Sequence, residues 1–143
     1  MFYRIIRRTI RRRRTRRRTH RKAPNRSDYL VRKNAARSLA LERLDYFTHE
    51  YAQLDPHYRD AMKYNRLAIR NTRSRWGSCS SRKNLNFNYR ILDLSPELRD
   101  YVIVHELCHL KELHHGKAFW DLMEIMIPQA KEFHRTARKM KIA

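Results

Sequence analysis

Cysteine is scarce: Cys79 and Cys108 stand alone and far apart, with no CxxC pair. That argues against a disulfide-stapled secreted domain and for two reduced thiols in a cytoplasmic protein. Long apolar runs are missing too, none approaching the roughly 18–20 residues of a membrane helix. Arginines break up the N-terminus before a signal-peptide core can form. The expectation is a chain with no membrane span that is not exported, although an arginine-rich start without acids also has the composition of a mitochondrial transit peptide. Acids are absent from residues 1–26, which hold 13 of the 34 Lys and Arg. No internal repeat is visible, and 143 residues leave no room for a second full domain.

What remains divides at about residue 26. Residues 27–143 carry 21 basic against 14 acidic residues, a mildly basic body. A body of that size buries roughly 60–70 per cent of its unfolded surface and needs no staples. Residues 1–26 read as a flexible basic tail, because like charges oppose compaction. Within it Arg11, Arg12, Arg13, Arg14, Arg16, Arg17 and Arg18 suit contacts with a nucleic-acid backbone. The same block also suits anionic lipid, ribosomal RNA or plain solvation. Phe2, Tyr3, Ile5, Ile6 and Ile10 leave room for an added strand at the very start.

Apolar residues at spacings of three and four, Leu30, Ala36, Leu39, Ala40, Leu44 and Phe47, predict a helix from a cap at Ser27 or Asp28 to about Ala52. Period-two alternation then predicts a strand around Leu67 and Ile69 and a second over Leu85, Phe87, Tyr89 and Ile91, joined by a long hairpin or loop. The polar face of the second strand, with Asn84, Asn86 and Asn88, is either a solvated edge or a face turned to substrate. "SPEL" at Ser95–Leu98 starts a helix expected to reach Leu113 and stop near Gly116. Another begins near Lys117, Pro128 interrupts it, and a basic helix follows from Gln129 towards Lys139.

The third helix carries the chemistry. His105, Glu106 and His109 spell HExxH inside "YVIVHELCHL". Histidines four apart share a helix face with Cβ atoms roughly 5–6 Å apart, so both imidazoles can reach one ion about 2.0–2.1 Å from each nitrogen. Glu106 projects about 100° further round, beside the ion without ligating it, placed to take a proton from the attacking water. A lone buried carboxylate costs several kcal/mol, and a dication offsets that cost. The bland alternative is a pair of core histidines with Glu106 reaching solvent. An open zinc site needs a third protein ligand. His115 follows ten residues after His105 and fits that role, with His114 competing and Cys108 more easily read as core packing.

"RWGSCSS" at 75–81, "NLNFNYRIL" at 84–92, "YVIVHELCHL" at 101–110 and "HHGKAFW" at 114–120 together resemble the YgjP-like metallopeptidase domain, a zincin relative, and also the SprT-like proteases. The resemblance spans roughly residues 28–140 and leaves the arginine tail outside its core. It implies an α+β zincin-like minimal metalloprotease fold, a small antiparallel sheet packed on a central HExxH helix with further helices. It implies His105, His109 and His115 as zinc ligands and Glu106 as catalytic acid/base. Glu112 stands where the metzincin pattern has glycine, and Gly116 where a small polar residue is expected.

One Zn2+ or another divalent ion per chain is therefore expected, with hydrolysis of a polypeptide as the reaction. Asn86, Asn88, Tyr89 and Arg75 are the candidate substrate contacts, and the strand from Asn84 to Arg90 is a candidate for pairing with an extended peptide. Asn88, Tyr89 and Arg75 are also the candidate oxyanion donors. Two other functions compete: a metal-dependent nucleotide pyrophosphatase using Arg73, Arg75 or Arg90 on phosphate, and a nucleic-acid-binding module with a non-catalytic zinc.

Overall fold

The computed structural model describes residues 24–142. The candidate nucleic-acid contacts Arg11–Arg18 and the apolar residues at the start lie outside them. Helix α1 (Arg26–Leu54) begins two residues before the expected start, because the Asn25 side chain takes the Ser27 N–H and Asp28 falls in the first turn, where the helix dipole favours an acid. Its buried stripe is Ala36, Ala40, Leu44, Phe47 and Tyr51, while Leu30 falls off the stripe and is exposed. A short helix α2 (His57–Ala61) follows in the segment read as a connector.

The sheet is mixed where a small antiparallel one is expected, and of the hairpin or loop expected between the strands it has the loop. Strands β1 (Arg66–Arg70) and β3 (Asn84–Asn88) run parallel, pairing Leu67 with Leu85 and Ile69 with Phe87. A third strand, β2 (Gly77–Cys79), lies antiparallel on the other side of β3, so the order is β1-β3-β2 and the sheet is mixed. Three residues are too few for a period-two signal, which is why the sequence pattern showed only a loop here. A loop from Asn71 to Trp76 spans the gap that β3 fills, and Asn88 holds it. The Asn88 amide donates to the Thr72 carbonyl (2.7 Å), the Thr72 hydroxyl (3.1 Å) and the Arg75 carbonyl (3.2 Å), while its backbone N–H reaches Trp76 O at 2.8 Å. The turn into β3 places Lys83 at φ 59°, and the Lys83 N–H bonds the Ser80 carbonyl.

After β3 the chain makes a 3-10 turn (Tyr89–Asp93) rather than continuing the strand to Ile91, because the Asn88 side chain caps it by accepting the Arg90 N–H. Ser95 caps α3 (Pro96–Cys108), whose Leu98, Tyr101, Val102, Ile103, Val104, Glu106, Leu107 and Cys108 are buried. This helix ends five residues short of Leu113. Leu110 and Lys111 tighten to i−3 carbonyls, and the Glu112 carbonyl turns back to the His109 ring. Helices α4 (Lys117–Met126) and α5 (Ala130–Lys139) follow, parted at Pro128.

Polar ties lock α1 against the rest. Arg43 makes a two-pronged, half-buried pair with Asp100 of α3, both contacts 2.8 Å. Arg37 donates to Leu67 O of β1 at 2.8 Å, and the buried Tyr51 hydroxyl donates to Leu122 O of α4 at 2.7 Å beside Cys108 Sγ at 3.4 Å. Losing a buried hydrogen bond costs about 1 kcal/mol net. Tyr51→Phe is expected to lower unfolding free energy by about 1 kcal/mol in urea titration, with the metal content of the folded protein unchanged.

Candidate metal centre

His105, from the last turn of α3, and His109, its C-cap residue, stand on one side, and His115 comes from the loop between α3 and α4. The three Nε2 atoms converge, with separations of 3.2 Å (His105–His109), 3.1 Å (His105–His115) and 2.9 Å (His109–His115). Tetrahedral neighbours each about 2.0–2.1 Å from an ion stand about 3.3 Å apart, so the donor set fits a zinc-sized cation. The tautomers agree. His109 donates its Nδ1–H to Glu112 O (2.9 Å), which leaves Nε2 as a bare lone pair aimed at its neighbours.

His105 is held in the same way through a relay. Its Nδ1 lies 3.1 Å from the Tyr101 hydroxyl, which lies 2.8 Å from His134 Nδ1. With Nε2 of His105 bare, Nδ1–H donates to the Tyr101 oxygen, Tyr101 donates to His134, and His134 keeps its proton on Nε2. Phe119 forms an apolar floor, its ring 4.7–5.0 Å from all three imidazoles. Burial together with the neighbouring His109, His115 and His134 pushes His105 down to about 3. Burial also lowers His109 and His115, so all three are poised as neutral ligands.

Glu106 lies outside the group of three nitrogens and packs against Gly77 of β2. It is 7% exposed, and burial raises its carboxyl to about 8, opposed by the Arg75 guanidinium. Gly77 presses on it so closely that a Cβ there would stand 2.7 Å from Glu106 Cγ and 2.9 Å from Oε1. Any side chain at 77 would therefore have to displace Glu106. Gly116 carries no such demand, since nothing lies within 4 Å of a Cβ built there.

The other candidates separate. Arg75 lines the cavities on both sides of Glu106. Asn88 and Tyr89, 1% and 2% exposed, do not line them: Asn88 is occupied by the 71–76 loop, and Tyr89 packs edge-on against Tyr29. Both are scaffold, a correction to their reading as substrate or oxyanion contacts. Asn86 sits on the sheet face away from the core, bonded to Ser78 Oγ and Arg70. β3 is the central strand, so it offers no free edge to a peptide; the sheet edges are β1 and β2. Bonded pairs Trp76–Asn88 and Ser80–Asn84 put Ser78–Asn86 in the same register and turn the N–H and C=O of Gly77 and Cys79 outward. His114 is exposed and outside the cluster, and Cys108 faces Tyr51. Tyr101, Phe119 and His134 were missed. The first two sit at i−4 from His105 and i+4 from His115, a helical spacing that could have found them; His134 reaches the site only through the fold.

Two outcomes follow. Purified without chelator, the chain should hold about one zinc, lost in His109→Ala and His115→Ala by elemental analysis. In chelator-stripped protein, folded His105 gives up its proton below the ordinary 6.5, so stability rises with pH towards that value. Folded Glu106 keeps a proton that the unfolded chain releases near 4.5, so its contribution falls with pH up to about 8. Stability should peak near pH 6–7 and then decline by at most about 1.4 kcal/mol per pH unit, and Glu106→Gln should abolish that decline in denaturant titrations.

The model of the YgjP-like metallopeptidase domain matches residues 4–140, beginning inside the arginine-rich segment. No curated protein matches the chain. Among solved structures, the crystal structure of the metallopeptidase zymogen of Pyrococcus abyssi abylysin is similar, at 23% identity and a TM-score of 0.51, over 68% of this chain and 90% of that one. At that identity the likeness speaks for the α+β fold. With the family match covering nearly its whole length, the chain belongs to the YgjP-like metallopeptidase domain family.

Proposed function

We propose that this protein is a zinc-dependent peptidase in which Glu106 serves as general base and then general acid. One observation carries the reading: three imidazole nitrogens converge beside a buried carboxyl that stands outside their group. His105, His109 and His115 would hold a divalent ion, which would supply Lewis acidity to the site. Glu106 acts from its ionised form, which a dication alongside would favour against the effect of burial; it takes a proton from the attacking water and returns it to the departing amine, so the net change is addition of one water across the peptide bond. Gly77 holds that carboxyl in place.

The outward N–H and C=O groups of Gly77 and Cys79 match the hydrogen-bonding pattern of an extended peptide laid along β2. No strand pairs with that edge among the described residues. Such a peptide passes over Glu106, because β2 packs on α3 there. His134 and Arg75 line the same cavity and are the candidate donors to the developing oxyanion.

The zinc-loaded chain is expected to cleave a peptide mixture in a Glu106-dependent way. Glu106→Gln should lower kcat by at least about 10²-fold at unchanged zinc content, and Gly77→Ala, by displacing Glu106, by at least about tenfold. An untouched peptide mixture alongside Glu106-dependent release of pyrophosphate from nucleoside triphosphates would transfer the site to phosphorus chemistry.

A further inference from the structure

The two cavities that meet at Glu106 differ in charge. The larger, about 670 Å³, is bordered by Arg73 and Arg75 of the 71–76 loop and by Arg138 and Lys141 at the C-terminal end of α5. Glu106 is the one acid in its lining. None of the four cations forms an ion pair among the described residues, although Arg32, Arg43, Lys63, Lys111, Lys117 and Lys131 all do. The smaller cavity, about 260 Å³, shares Arg75, Gly77, His105 and Glu106 but adds only Ser78, Cys79, His109 and Leu113. Positive charge thus accumulates on one side of the carboxyl that is to activate water.

We propose that the larger cavity is a subsite for an acidic side chain of the polypeptide substrate, on one side only of the bond to be cut. The proposal rests on the peptidase reading. Its wall is mixed: Trp76, Val102, Met140 and Ile142 give apolar surface alongside the basic residues. An Asp or Glu residue fits that combination, with its methylenes on the apolar wall and its carboxylate among the guanidinium groups. A nucleic-acid strand carries phosphate at every step and would call for cations along both halves. The neutral smaller cavity does not supply them.

The test uses zinc-loaded full-length protein and fluorogenic peptides identical except for one Glu, Gln or Lys, moved through the positions on either side of the cut. The readout is the Glu to Gln ratio of kcat/KM. A ratio of about tenfold at low salt is expected on one side and about one on the other, shrinking as salt screens the charges. Arg73→Glu with Arg138→Glu should bring the ratio to one or invert it. Arg135→Glu with Lys139→Glu, an equal charge change on α5 residues outside the cavity lining, should leave it standing; zinc content certifies each variant as folded. Equal ratios on both sides, or equal responses to the two reversals, would assign the preference to the long-range field of a chain of net charge +20 and overturn the subsite.

If no peptide is cut, the peptidase reading fails by itself, and binding then decides the subsite. Zinc-loaded Glu106→Gln protein is titrated with the Glu and Gln peptides by fluorescence anisotropy. Tenfold tighter binding of the Glu peptide, lost in the Arg73/Arg138 reversal, supports the subsite; equal binding overturns it. A single-stranded oligonucleotide of matching charge that displaces the peptide and binds more tightly through the same arginines would make the cavity a phosphate site and overturn it as well.

Discussion

Three imidazole nitrogens held within 2.9–3.2 Å of one another cannot all carry protons, and as bare lone pairs they repel unless a cation lies among them; the remaining architecture keeps them there. They can be held only because α3 is rigid, and α3 is rigid because it is buried nearly all round. Each neighbour contributes a different restraint. α1 grips it through Arg43 and Asp100, α4 places Phe119 under the rings, and α5 delivers His134 to the Tyr101 hydroxyl. β2 closes the remaining side with a residue that has no side chain. The arrangement sets one carboxyl, Glu106, among buried apolar side chains, the reverse of what maximal stability favours, and that conflict is characteristic of sites shaped for chemistry.

Much of this was legible in the residues alone. HExxH with a further histidine at the tenth position defined the centre, since helical geometry turns a spacing of four into a shared face. The apolar character of "YVIV" marked the helix as internal, and the SPEL cap located its start. What stayed hidden depended on long-range pairing. Nothing in a three-residue stretch such as Gly77–Cys79 announces a strand, and without it the parallel pairing of β1 with β3 could not be inferred. The asparagines misled for a related reason: period two assigned Asn88 to a polar outer face, yet β3 ends there and the side chain turns inward to hold a loop. His134 lies 29 positions after His105 on another helix, so only tertiary contact reveals it.

The fold also separates two kinds of positive charge. The arginines of residues 1–26 form a block in sequence, whereas Arg73, Arg75, Arg138 and Lys141 are scattered along the chain and gathered by folding around one cavity. A block acts through its summed field and is sensitive mainly to ionic strength. A gathered set has direction and shape as well. Net charge alone would have drawn attention to the first and concealed the second.

The Asn88 amide, satisfied by three acceptors in the 71–76 loop, bears on how the cleft meets a ligand. Arg73 and Arg75 sit within a segment whose carbonyls at 72 and 75 are tied down at both ends. The conformational entropy of that loop is therefore surrendered when the chain folds, not when a substrate arrives. The wall of the cavity is preorganised, and the side chains alone remain to be ordered on binding. A surface loop with no regular secondary structure thereby acquires the stiffness of a strand, and it does so through one buried carboxamide.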